Sequence, residues 1–404
     1  MSNLRDALEY LEFSQEQHNA LIKLLAFAGI FPNYTKGDII SDQNAEDILN
    51  SDLNHAEGSS VVEKFNELCQ QGHDNLRKGG ERQQMLELKT KSDEDFEEIK
   101  KIIEFLGLTE EIALPKDLSE GKFVVFGAAE KGLKKRLEFL NKQLEKRQKE
   151  NCTLYLLGGE RNLWPKYSGE DIEVKEALKE IKFSYEDATS SLLENLNKDK
   201  NKELKTSSQF QEKIDTLIEE YIKKIKKKES TKSDLTPSLG EVRNHIAKSL
   251  KEEGYKYPTE SDLALYLAKQ ILGIDEGKIK TIEGMLDPNR ERPTTETTLQ
   301  SFFIEIDKSQ NEALYFVSSQ PHIERQEREA KRQAKNNGLD PARVRGIGPE
   351  TIIGGYTNIA DMVDPVLINI NTRCKDLENQ QQPSTSLTNP NHVSQGLGPT
   401  GLSR

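Results

Sequence analysis

Three short apolar runs constrain this chain more than anything else in it. Lys122–Phe126 (KFVVF), Thr153–Leu157 (TLYLL) and Ala313–Val317 (ALYFV) are four or five apolar residues long, and each stops abruptly. Runs this short, without alternation, are what a strand buried on both faces looks like, and parallel sheets covered by helices on both sides supply that environment. The first run breaks into Gly127, Ala128, Ala129 and Glu130, and the second into Gly158, Gly159, Glu160 and Arg161. The third breaks into Ser318, Ser319 and Gln320, with His322, Arg325 and Gln326 behind them. Open α/β sheets place ligand chemistry outside the carboxyl ends of their strands, so function is to be sought where these runs end.

The rest of the chain is polar. Of 404 residues, 34% are hydrophobic and 31% charged, which predicts a sizeable core in at least one domain and much solvated helix elsewhere. A net charge of −12 argues against general binding to nucleic acid or anionic membranes. The run Lys223–Lys228 (KKIKKK) reads as a solvated helix end. Cys69, Cys152 and Cys374 stand far apart, so neither a disulfide framework nor a zinc cluster is suggested and a reducing compartment fits. His18, His55 and His73 show no metal-ligand spacing. The amino terminus lacks a leader pattern, and Ala20–Phe31, which contains Lys23, is too short to span a bilayer. A cytoplasmic protein is expected.

Residues 1–115 have helical apolar spacing (Leu4, Leu8, Leu11; Ile99, Ile102, Ile103, Leu106) and read as an accessory helical region, with helix starts at Ser14 and Thr109. The α/β domain is expected over 116–374. A charged stretch from about 168 to 254, with many opposite charges at i,i+3 and i,i+4, interrupts it as an inserted helical hairpin. The core resumes with an amphipathic helix at Thr259–Leu272, an apolar piece near Ile279, a helix over Thr294–Phe303 and the third run. Residues 375–404, rich in Gln, Ser, Pro, Asn and Gly, read as a disordered tail.

Each strand end carries two readings. Gly127-Ala128-Ala129 offers small residues and backbone N–H groups at a helix start, suited to an anion, or else permits tight strand-to-helix packing. Gly158 and Gly159 allow close backbone approach beside Glu160, a cation ligand or base, and Arg161, a bidentate anion grip; a structural ion pair is the alternative. Among Thr294, Thr295, Thr297 and Thr298, helix capping explains one or two hydroxyls, and four invites a second use. His322 stands in a polar cluster where it can move a proton at neutral pH, or it caps and packs without chemistry. Neither GxSxG nor GxxxxGK[ST] occurs, so hydrolase-elbow and phosphate-loop NTPase chemistry are poor fits.

The order of these features resembles the SanA/YdcF-like family of bacterial domains. The resemblance rests on Phe126-Gly127 with Arg136, Leu157-Gly158-Gly159, Thr259-Glu260, Thr294-Thr295 with Thr298, and Ser318-Ser319 with His322 and Arg325. It covers Gly121 to Ala334 apart from the insertion. It implies a Rossmann-like α/β fold, with nucleotide-like cofactors and envelope-precursor metabolism both suggested for members. It marks Gly127, Arg136, Gly158, Gly159, Glu260, Thr295, Ser319, His322 and Arg325 as pocket residues. This chain departs from the family in its Gly-Gly-Glu-Arg-Asn-Leu-Trp turn and in its large insertion.

The expectation is therefore a Rossmann-like, mostly parallel sheet with an accessory helical region and a helical insertion, binding a small anionic, nucleotide-like or phosphorylated ligand. Group transfer or hydrolysis would use His322 as acid or base, Arg136, Arg161 and Arg325 as anion grips, and Glu160 or Glu260 to orient water or a hydroxyl. The identity of any cofactor stays open. The competing class is a non-enzymatic interaction protein whose charged helices bind a protein partner while the α/β core serves as scaffold.

Overall fold

The computed structural model describes residues 3–31, 33–51, 61–77, 90–115, 121–128, 130–158, 166–168, 182–184, 187–197, 207–228, 239–255, 259–284, 294–308, 312–351 and 359–381. Within them the chain runs through α1 (Leu4–Tyr10), α2 (Gln15–Phe27), α3 (Asp42–Leu49), α4 (Val61–Arg77) and α5 (Asp93–Phe105) to strand β1 (Lys122–Phe126). Helices α6 (Glu130–Gln143) and α7 (Lys146–Asn151) lead to β2 (Thr153–Gly158). Next come a ribbon of β3 (Lys166–Ser168) and β4 (Lys182–Ser184), then α8 (Asp187–Asn197), α9 (Ser207–Lys228), α10 (Leu239–Glu252) and α11 (Glu260–Leu272), then β5 (Ile279–Glu283). The chain continues through α12 (Thr295–Glu305), β6 (Leu314–Val317), α13 (Ile323–Asn336), β7 (Val344–Ile347) and α14 (Ala360–Gln381).

Five strands form one all-parallel sheet in the order β5-β2-β1-β6-β7. Counted along the chain, that is third, second, first, fourth, fifth, the order of a Rossmann-like α/β fold. The three apolar runs are its three central strands, and alternate residues explain why they carry no polar face. Phe123, Val125, Leu154, Leu156, Tyr315 and Val317 pack on one side with Leu133, Leu137 and Leu140 of α6 and Leu263, Ala264 and Leu267 of α11. Val124, Phe126, Tyr155, Leu157, Leu314 and Phe316 pack on the other with Leu299, Phe302 and Phe303 of α12 and Ala330 and Ala334 of α13. A period of two therefore distributes one apolar run between two cores. The edge strands need less: β5 exposes Lys280 and Glu283, and β7, which the sequence did not suggest, exposes Arg345.

A third core lies outside the sheet. It joins α1–α5 with α14, whose Met362, Val363, Val366, Leu367 and Ile370 pack among Leu4, Leu8, Leu21, Leu25 and Phe65. Residues 360–374, expected in the α/β domain, thus complete the helical unit instead. An amphipathic helix at the end of a chain buries its stripe wherever a complementary face exists. The helix also continues to Gln381, past the tail expected from residue 375; residues 382–404 lie outside the described residues. Ser14 starts α2 through a capping box with Gln17, as expected. Thr109 starts no helix: Ile112 pairs instead with Gly348 beyond β7, and Thr109 accepts through its carbonyl from the Thr351 N–H at 2.8 Å.

The insertion divides into two parts. Helices α9 and α10 pair with each other through an edge-to-face Phe210–Tyr255 contact, a stacked Tyr221–His245 pair and the Lys213–Glu253 ion pair at 2.8 Å. Helix α8 belongs to the core: Leu192 is buried beside α11 and α6, and the Glu130 carboxylate accepts from the Thr189 N–H at 2.9 Å and from its hydroxyl.

Candidate functional site

Because every strand of the main sheet points the same way, all the turns singled out from the sequence that fall within the described residues lie at one end. Phe126 is level with Leu157, Val125 with Val317, and Gly158 with Glu283. The chain moves from β1 through β2 to β5 on one side and then crosses back to β6 on the other. The reversal of strand order, where open α/β sheets form their ligand crevice, falls between the ends of β1 and β6.

The two glycine turns serve packing. A Cβ on Gly127 would stand 2.7 Å from the Leu157 carbonyl oxygen, to which the Gly127 N–H donates at 2.7 Å. That N–H is spent within the sheet, so Gly127 does not offer it to a ligand. A Cβ on Gly158 would meet Ser261 Oγ at 2.2 Å and Ser261 Cα at 2.8 Å. Gly158 is small because the first turn of α11 rests on it, which also brings Glu260, half-buried and next to Ser261, to the end of β2. Gly159, Glu160 and Arg161 lie outside the described residues.

Arg136, in the middle of α6, is the centre of the site. It is 6% exposed and reaches back to the end of its own βα unit, where Nη1 donates to the carbonyls of Phe126 at 2.7 Å and Gly127 at 3.0 Å. Nε crosses the strand reversal and donates to Ser319 Oγ at 3.0 Å. No carboxylate pairs with Arg136 among the described residues, and Nη2 has no bond there. Burial, reinforced by the like charge of Arg325, lowers its pKa to about 10.

The turn after β6 supplies the other half. Ser318 donates its N–H to the Ile347 carbonyl at 2.9 Å, Ser319 accepts from the His322 N–H at 2.9 Å, and Gln320 Nε2 donates to the carbonyls of Gly107 and Glu110. The Gln320–Pro321 peptide is cis. His322 occupies the N-cap position of α13 without its side chain capping the helix, and Arg325 follows within the first turn. Two buried polar atoms here, Ser318 Oγ and Gln326 Oε1, have no hydrogen-bond partner among the described residues. Such atoms are rare unless water or a ligand satisfies them.

The threonine run resolves along simple lines. Thr294 caps α12, while the hydroxyls of Thr297 and Thr298 bond to the Thr294 carbonyl at 3.2 and 2.8 Å. Thr295 alone of the four has a hydroxyl without a bond among the described residues. It is half-buried in the first turn of a helix whose amino end lies at the same end of the sheet.

The geometry thus joins Arg136, Ser319, His322 and Arg325 across the strand reversal and places Gly158 and Glu260 on the far side of β1. Sequence reasoning missed Ser261 and Gly348. A Cβ on Gly348 would stand 2.1 Å from the Ser318 carbonyl oxygen, so this glycine lets the end of β7 close on the turn. Its signal was the pair of glycines flanking Ile347, which marks a strand end as Gly127 does. Neither a protein-family model, nor a curated protein, nor a solved structure matches the chain.

Proposed function

We propose that the protein binds a small phosphorylated or nucleotide-like anion at the ends of β1 and β6 and acts on it by group transfer or hydrolysis. The observation that carries this reading is Arg136: a guanidinium buried at the strand reversal, close to the charge of Arg325, without a carboxylate partner among the described residues. Burial and the like charge of Arg325 disfavour that charge and lower the guanidinium pKa to about 10. An anion between the two arginines offsets this, and bidentate geometry suits phosphate. Ser318 Oγ is a further donor for an anionic oxygen, and Gln326 Oε1 accepts from an N–H or O–H on the ligand. His322, whose N–H donates to the carbonyl of Ser319 in the same turn, is the acid or base.

The test is thermal unfolding and calorimetry with inorganic phosphate, pyrophosphate and ADP. One of them should raise the melting temperature of the parent, by about 2.7 kcal/mol of stability at a hundredfold excess over Kd, and Arg136→Met should abolish the effect. Failure of all three to bind at millimolar concentration sinks the proposal.

A further inference from the structure

The helical unit is built into the anion site rather than appended to it. The first turn of α13 carries His322 and Arg325, and between them Glu324 faces the helical unit. Its carboxylate receives the Arg373 guanidinium of α14, Asn369 Nδ2 of the same helix at 3.1 Å, and Arg328 Nε at 3.1 Å. Arg328 passes the connection on through Nη2 to Glu12 at 2.8 Å. Arg373 donates to the Leu11 carbonyl at 2.6 Å and lies 3.8 Å from the centre of the Phe13 ring. One turn further along, Arg332 joins Glu329 to Asp376.

Two details mark this as more than surface pairing. Glu12 has φ +64°, the left-handed conformation that a helix end ordinarily gives to glycine, so a side chain is kept here at a backbone cost. The carboxylate that Arg328 uses is what the side chain supplies. Gln320, two residues before His322, is held independently by the segment leaving the helical unit, through the carbonyls of Gly107 and Glu110. The site turn is therefore gripped on both sides of Pro321 by groups belonging to, or leaving, the helical unit.

We infer that Glu324 and Arg373 are positioning residues: through them the helical unit fixes the first turn of α13, and with it the aim of His322 and Arg325. The inference rests on the anion-binding reading given above. Linkage makes the effect reciprocal, so an anion held by Arg325 steadies α14, in the third core.

Hydrogen exchange of the full chain with and without inorganic phosphate or pyrophosphate, together with calorimetry on variants, tests this. In the parent, the anion should slow exchange of the α14 amides around Arg373 as well as those of residues 318–326. Arg373→Met and Glu324→Gln should each weaken anion binding about 10-fold, a coupling of ordinary size, and remove the transmitted protection. Arg373→Lys, which keeps the charge, should recover part of both. Anion binding by the parent with unchanged α14 exchange, and with variants that bind as the parent does, overturns the inference and leaves the anion site standing. No binding of either anion to the parent overturns both. Should Arg373→Met fail to fold, exchange of the parent and the Glu324→Gln variant decide.

Discussion

Arg136 Nε donates to Ser319 Oγ at 3.0 Å, a bond that ties the helix after the first strand of the sheet to the turn after the fourth, across the reversal of strand order. It holds the two halves of the fold together at the point where a ligand would enter. Ser319→Ala should cost about 1 to 3 kcal/mol, because a buried charged donor is left without its acceptor. Urea unfolding measures this. An unchanged midpoint would mean that water replaces the hydroxyl.

The glycine turns should tolerate no side chain. Gly158→Ala places a methyl within 2.8 Å of Ser261 Cα, and Gly127→Ala places one 2.7 Å from a carbonyl oxygen. Each should lose about 1 to 3 kcal/mol, the usual cost of overpacking. If both variants melt with the parent, these turns are looser than the distances indicate.

His322→Gln separates catalysis from architecture. The variant should keep the fold and the anion affinity. Turnover of a phosphorylated substrate should fall about 10²- to 10⁴-fold if the imidazole transfers a proton. An undiminished rate would exclude that role.

Acid should loosen the link between the two units. Burial acts to raise the Glu324 pKa, but the guanidiniums of Arg373 and Arg328 outweigh it and hold the carboxyl below the ordinary glutamate range. A carboxyl whose folded pKa is depressed contributes stability that is present above the unfolded value, near 4.5, and is lost as pH falls through the folded one. Stability of the parent should therefore drop more steeply below about pH 4.5 than that of Glu324→Gln, in buffered denaturant titrations.

The insertion should come apart at the joint between α8 and α9. Replacing residues 198–254 with a flexible linker removes a helix pair that packs on itself and should leave a cooperative melt. Extending the deletion through α8 removes Leu192 from the core and the Thr189 bonds to Glu130, and should cost about 2 to 5 kcal/mol more. Equal melting of the two deletions would contradict the division.

What the sequence by itself determined is what local burial dictates. KFVVF, TLYLL and LYFV read as strands covered on both faces, and Thr259 and Thr294 marked helix starts because their hydroxyls satisfy N–H groups three residues on. From parallel strands it followed that the polar turns share one end. Tertiary structure alone decided the partners. VRGI was too polar to read as a strand, since an edge needs little burial, and the apolar stripe of α14 does not say that its complement is some three hundred residues upstream. Gly158 was legible as a small residue ending a strand, but not that Ser261, a hundred residues later, fills the space beside it. Arg136 became the strongest residue of the site for the same reason: a sequence records that a charge exists, while only the fold determines whether water or a carboxylate remains beside it.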